Sequence, residues 1–86
     1  MDRPVASCTL PPRVDAAAAA ALRDQLLAAR GCDITVDASR VQQISGLGVQ
    51  VLLSAQQTWR TDGARLDLAQ PSEPFLTTLR HLGVQF

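Results

Sequence analysis

The spacing of apolar and polar residues predicts strands that alternate with helices along the chain. Residues 5–10 alternate weakly and predict a strand, which Pro11-Pro12 ends because proline cannot donate to a sheet ladder. Residues 33–38 and 64–69 predict two further strands, and residues 13–14 have room for a short one. Because helical segments separate the longer strands, the pattern predicts crossover connections and mostly parallel neighbours.

Three segments have the period of a helix packed on one side, and each follows a good N-cap residue. Asp15 precedes the alanine-rich first helix, Ser45 the second and Ser72 the third. In the third helix Pro74 lies in the first turn, where its missing N–H costs nothing. The apolar side of this helix is predicted from Phe75, Leu76, Leu79 and Leu82, and Gly83 is predicted to end it.

The second helix, predicted from Leu47 to Trp59 or Arg60, is the segment around which the chain is organised. At about 100° per residue its apolar side is broad, which predicts packing on a sheet. This side holds Gly48, Val51, Leu52, Ala55 and Trp59, with Val49 and Leu53 on a flank. The opposite side holds Gln50, Ser54, Gln57 and Thr61. Asp62-Gly63 predicts the end of the helix, because glycine adopts a left-handed conformation without strain.

The bulk properties predict a single cytoplasmic domain over residues 1–86. Hydrophobic residues make up 47% of the chain, and eight arginines balance eight acidic residues. This charge balance argues against a nucleic-acid partner, which would need uncompensated basic residues. No apolar stretch is long enough to insert in a membrane, and the first residues lack a signal-peptide pattern. With Cys8, Cys32 and His81 far apart, no metal set is expected.

The order of these elements, together with two short motifs, resembles a STAS domain, the fold of the bacterial anti-sigma factor antagonists. The more specific motif is Ser45-Gly46-Leu47-Gly48 at the start of the second helix. The other is Pro71-Ser72, which leads to Leu82-Gly83-Val84. The resemblance covers roughly residues 14–84. It implies an α/β domain with a mixed, mainly parallel sheet of about four strands and about three helices packed on one side.

The resemblance also implies a protein-docking role and, in phosphorylated members of the family, a switch at this turn. Those members carry Asp-Ser-Ser/Thr-Gly-Leu, and the Ser directly after the Asp accepts the phosphate. This chain has Gln43-Ile44-Ser45-Gly46-Leu47 in the matching positions. Ser45 is therefore the remaining phosphoacceptor candidate, and its alternative role is that of a helix cap. A constitutive module that is never phosphorylated is the other interpretation of the family pattern.

The partner-binding residues expected from the sequence surround this turn and the polar side of the second helix. They are Ile44, Ser45, Gly46, Leu47, Gln50 and Ser54. Ile44 has two interpretations, an exposed anchor for a partner or a core residue closing the sheet together with Val41. Trp59 is expected in the core rather than at an interface. Asp37 is expected to cap the turn after its strand rather than to contact a partner.

No nucleophile–base pair, metal set or cofactor loop appears, so the sequence predicts neither an enzyme nor a cofactor. The function that the resemblance implies is that of a signalling module docking on a regulatory serine kinase or anti-sigma factor. The alternative is an accessory subunit of a chemotaxis kinase pathway or a lipid-transport ATPase complex. The open face of the sheet is also expected to be available to a partner or to a second copy in a homodimer.

Overall fold

The structure is a computed structural model that describes residues 5–86. Strands and helices alternate along most of the chain, as the hydrophobic pattern predicts. The elements are β1 (Val5–Thr9), β2 (Arg13–Val14), α1 (Ala16–Ala28), β3 (Asp33–Asp37), β4 (Gln43–Ile44), α2 (Gly46–Thr61), β5 (Leu66–Ala69) and α3 (Glu73–His81).

Two parallel sheets form from these strands. The larger has the order β1-β3-β5, with β3 in the centre, and the smaller pairs β2 with β4. The predicted α/β STAS-like architecture is confirmed. The sequence predicted about four strands, and the additional one is β4, a two-residue strand whose Ile44 lies opposite Val14 of β2.

The core lies between the larger sheet and the helices. Ile34 and Val36 of β3 point to this side and are buried against a cluster that includes Leu22, Leu52 and Phe75. On the other face of the sheet, Ser7, Thr35 and Asp67 lie side by side in the strand register. Ser7 and Asp67 are exposed and Thr35 is half-buried, so the middle of this open face is polar, while Val5 at the start of β1 adds an apolar side chain that is 73% exposed.

All three predicted N-caps are confirmed by hydrogen bonds. In each case a side-chain oxygen accepts from the backbone N–H three residues later, which satisfies a donor that has no partner within the helix. The pairs are Asp15 Oδ1 with Ala18 N at 2.9 Å, Ser45 Oγ with Gly48 N at 3.1 Å and Ser72 Oγ with Phe75 N at 3.2 Å.

The observed ends of α2 and α3 agree with the sequence prediction, with one correction at Leu82. Asp62 is the C-cap of α2, and Gly63 after it has a φ of 70°. Helix α3 ends at His81, and Leu82, which was expected on its apolar side, is 51% exposed. The prediction for Leu82 was wrong: Leu82 is the C-cap of α3, and its side chain remains in contact with solvent, whereas Phe75 and Leu79 are buried.

Candidate functional site

Ser45 stands between the small sheet and α2, where three backbone and side-chain hydrogen bonds fix it. Its N–H donates to the Val14 carbonyl at 2.8 Å, and its own carbonyl accepts from Val49 N at 3.1 Å. Its hydroxyl accepts from Gly48 N, and the residue remains half-buried. The side chain is therefore occupied as a helix cap, yet it lies at the surface.

Ile44 does not reach the surface. It is 6% exposed, and its strand partner Val14 is also buried. Gly48 is packed so closely on this pair that a Cβ there would lie 2.9 Å from Ile44 Cγ1 and 2.9 Å from Val14 Cγ1. Of the two interpretations of Ile44, the structure favours the core residue. Because Gly48 has no side chain, α2 can pack closely on the small sheet at this point.

Gly46 and Leu47 form the outer part of the turn. A Cβ at Gly46 would have no neighbour within 4 Å, so this position faces open space. Leu47 is 53% exposed although it is one of the larger apolar residues of the chain. The first turn of α2 thus presents an apolar side chain beside the Ser45 hydroxyl.

The polar side of α2 continues from this turn without interruption. Gln50 and Ser54 are exposed, and so are Gln57 and Thr61 further along the helix. None of these side chains carries a charge, so a partner could cover them without removing a formal charge from water. We call the part of this surface formed by Ser45, Gly46, Leu47, Gln50 and Ser54 the α2 docking surface.

A groove between α1 and α2 borders the docking surface, and it was not predicted from the sequence. It encloses about 170 Å³ and is mostly apolar. Its lining comes from both helices: Arg23, Leu26, Leu27, Arg30, Gln50, Val51, Ser54, Ala55, Thr58 and Trp59. The signal in the sequence that could have indicated this groove is Leu27. This apolar residue is adjacent to the buried Leu26 and widens the apolar side of α1.

An ion pair joins the C-terminal ends of the same two helices. Arg30 donates to Asp62 from Nε to Oδ2 and from Nη2 to Oδ1, both at 3.1 Å. The hydrogen bonds from Arg30 hold the pKa of the Asp62 carboxyl below its ordinary value, and Asp62 raises the pKa of Arg30. Because both groups are open to solvent, the pair orients the helix ends more than it stabilises the fold.

Trp59 and Asp37 take the roles that the sequence predicted. Trp59 is 2% exposed, and its indole Nε1 donates to the Cys32 carbonyl at 2.7 Å. Asp37 Oδ1 accepts from Ser39 N at 2.8 Å and so caps the turn after β3. This backbone hydrogen bond lowers the pKa of the Asp37 carboxyl.

The remaining candidates for chemistry are dispersed. Cys8 is buried, its thiol lies 3.1 Å from Gln25 Oε1, and burial raises its pKa, which disfavours the reactive thiolate. His81 is exposed at the end of α3. Within residues 5–86, no His, Cys, Asp and Glu side chains gather in a group of three that could hold a metal ion. In the same range, no helix combines the length and apolar character needed to cross a membrane.

Comparison with known proteins points to one family. A family model described as "Mlab, STAS domain" matches residues 8–85, nearly the whole of the 86-residue chain. No curated protein matches the chain significantly.

Proposed function

The chain belongs to the STAS domain family, and from this premise we propose that it is a non-enzymatic regulatory module that acts by docking on a partner protein. The α2 docking surface is its contact region. The observation that carries this proposal is the exposure of Leu47 directly beside the uncharged Gln50 and Ser54 positions. An apolar anchor with a neutral polar surround is the usual composition of a protein interface.

The partner that the resemblance implies is a regulatory serine kinase or an anti-sigma factor. We further propose that docking is constitutive. The family's phosphoacceptor position is occupied here by Ile44, which has no hydroxyl and is buried. Ser45 retains a hydroxyl, but that hydroxyl caps α2. Both features support a module whose docking surface is not switched by a phosphate.

The burial of Ile44 also favours a second candidate function. A subunit held permanently in a larger complex needs a docking surface and has no need of a phosphoacceptor. This candidate is an accessory subunit of a chemotaxis kinase pathway or of a lipid-transport ATPase complex. The two candidates share the surface and differ in the identity of the protein that covers it.

Site-specific photo-cross-linking identifies the partner and tests the surface together. A photoreactive amino acid replaces Leu47 in the full chain. The variant is expressed in the native cells and irradiated, and the cross-linked proteins are identified by mass spectrometry. Leu82 is the matched control position, because it is a leucine of nearly equal exposure outside the α2 docking surface. A kinase or anti-sigma factor cross-linked from position 47 supports the first candidate, and an ATPase subunit supports the second. Equal labelling from both positions contradicts the proposed surface.

The Ser45→Ala variant tests whether docking is constitutive. We expect the variant to bind the cross-linked partner as the wild type does, and we expect no phosphate on Ser45 after incubation of the wild type with that partner and ATP. Phosphorylated Ser45, with weaker binding in that state, would show a switch instead.

A further inference from the structure

The α1–α2 groove has a rigid apolar floor. Leu26, Ala55 and Trp59 are buried there, and the hydrogen bond from the Trp59 indole to Cys32 fixes the ring. Leu27 rises from the α1 side and is 53% exposed, and Val51 is half-buried on the α2 side. An apolar ligand would therefore meet a preformed surface and would cover side chains that water now contacts.

The charges around the groove are one-sided. Arg23 and Arg30 lie on the α1 rim, and the α2 rim is formed by neutral side chains, Gln50, Ser54 and Thr58. No acidic residue lines the groove. Arg30 is neutralised by Asp62, whereas Arg23 is exposed and forms no ion pair among the described residues. The uncompensated charge at the rim is therefore that of Arg23, and it favours an acidic ligand.

The dimensions favour a helix over a small molecule. The α2 wall runs from Gln50 to Trp59, about 14 Å at the helical rise of about 1.5 Å per residue. The cavity of about 170 Å³ is smaller than the usual small-molecule site of about 300–1,000 Å³. A groove between two helices that is about two and a half turns long matches the recognition mode in which an amphipathic helix lays its apolar face against a protein.

We propose that the α1–α2 groove receives an acidic amphipathic helix of the partner protein, with apolar side chains on the floor and a carboxylate against Arg23. This inference rests on the proposed function, because Gln50 and Ser54 belong both to the α2 docking surface and to the groove. It adds the chemical character of the partner segment, which the docking surface alone does not specify.

The test uses a display library of helical peptides selected on the immobilised full-length chain. Leucine is fixed at two positions four residues apart, tryptophan is omitted and the other positions vary. We expect Asp and Glu to be enriched over Lys and Arg next to the fixed leucines. Selected peptides should change the fluorescence of Trp59, the single tryptophan of the chain, because they cover the floor that it forms.

Charge reversal decides the role of Arg23. Arg23→Glu should weaken the selected acidic peptides about tenfold and shift a repeated selection towards Lys and Arg. Arg60→Glu makes the same charge change at an exposed position of α2 outside the groove, and it should change the affinity less than about twofold. Equal effects of the two variants, or no charge preference in the selection, would overturn the proposal.

Two further outcomes separate this inference from the proposed function. In the first, the selected peptides leave the fluorescence of Trp59 unchanged and fail to bind the Leu47→Asp variant. This result would contradict binding in the α1–α2 groove and would still agree with binding at the α2 docking surface. A concentration-dependent dimer that Arg23→Glu dissociates would place a second copy of the chain in the groove and would also overturn the proposal. The proposed function itself fails if the native partner binds Leu47→Asp as tightly as the wild type.

Discussion

At the scale of single residues, the turn before α2 places the buried Ile44 next to the half-buried Ser45. Ile44 completes the core, and Ser45 uses its hydroxyl to hold the first turn of the helix. A phosphate at the Ile44 position is therefore excluded by chemistry. At Ser45, helix capping explains the presence of the hydroxyl, and no phosphorylation switch is needed to explain it.

The cap predicts an ordered set of stabilities at position 45. Ser45→Ala should lower the free energy of unfolding by about 1 kcal/mol, because Gly48 N loses its acceptor. Ser45→Asp should preserve stability, since Asp caps as well as Ser and its charge suits the helix N-terminus. Urea denaturation monitored by circular dichroism measures both. Equal losses in the two variants would show that the hydroxyl does not act as the cap.

Asp62 predicts how acid affects the fold. Its folded-state pKa lies below the ordinary value of 3.8, so the Arg30–Asp62 pair contributes stability above that pH. The contribution is lost as the pH falls through the lower folded-state pKa. The stability difference between wild type and Asp62→Asn should therefore be present near neutral pH and shrink below about pH 4. Asp24→Asn, an exposed acid on α1, is the control. A difference that stays constant down to pH 2 would contradict the ion pair.

At the scale of elements, α2 is positioned by its contact with the small sheet. Gly48 is the point of closest approach, and its lack of a side chain lets the helix lie on Val14 and Ile44. These two residues are buried and have stiff, branched side chains, so they cannot move aside easily. Because this contact places the first turn of α2, it also sets where Leu47 is presented.

A pair of glycine substitutions tests this contact. Gly48→Ala and Gly46→Ala gain similar helix propensity, but only the first adds a methyl group within 2.9 Å of the core. Gly48→Ala should therefore be less stable than Gly46→Ala by about 1–3 kcal/mol. Thermal unfolding of the two variants measures the difference. Equal melting temperatures would mean that α2 lies further from Val14 and Ile44 than the 2.9 Å approach requires.

The elements that the sequence predicted well are those fixed by local signals. Ser45 and Asp62-Gly63 give both ends of α2, because caps act on neighbouring backbone groups. Strand β4 was missed because two residues cannot show an alternating pattern, and its pairing with β2 depends on residues distant in sequence. The groove was missed for a similar reason, since its existence depends on the separation of α1 and α2.

At the scale of the whole molecule, the two faces of the larger sheet differ in character. One face carries the helices and the core, and the other presents the polar Ser7, Thr35 and Asp67 together with the exposed Val5 at the start of β1. Val5 is the one large apolar side chain exposed on this face among the described residues, so the face offers a partner little apolar area. On the helical side, Leu47 is exposed next to the neutral Gln50 and Ser54, and Leu27 is exposed at the rim of the α1–α2 groove. This asymmetry supports docking through the helices.

The central claim is that the first turn of α2 binds a partner protein, and one comparison of affinities tests it most directly. The partner cross-linked from position 47 is titrated against Leu47→Asp and Leu82→Asp by calorimetry. The substituted leucines are 53% and 51% exposed, so both variants should fold as the wild type does. We predict that Leu47→Asp weakens binding about tenfold or more, while Leu82→Asp leaves it unchanged. Unchanged binding by Leu47→Asp, or equal losses in both variants, would contradict the account.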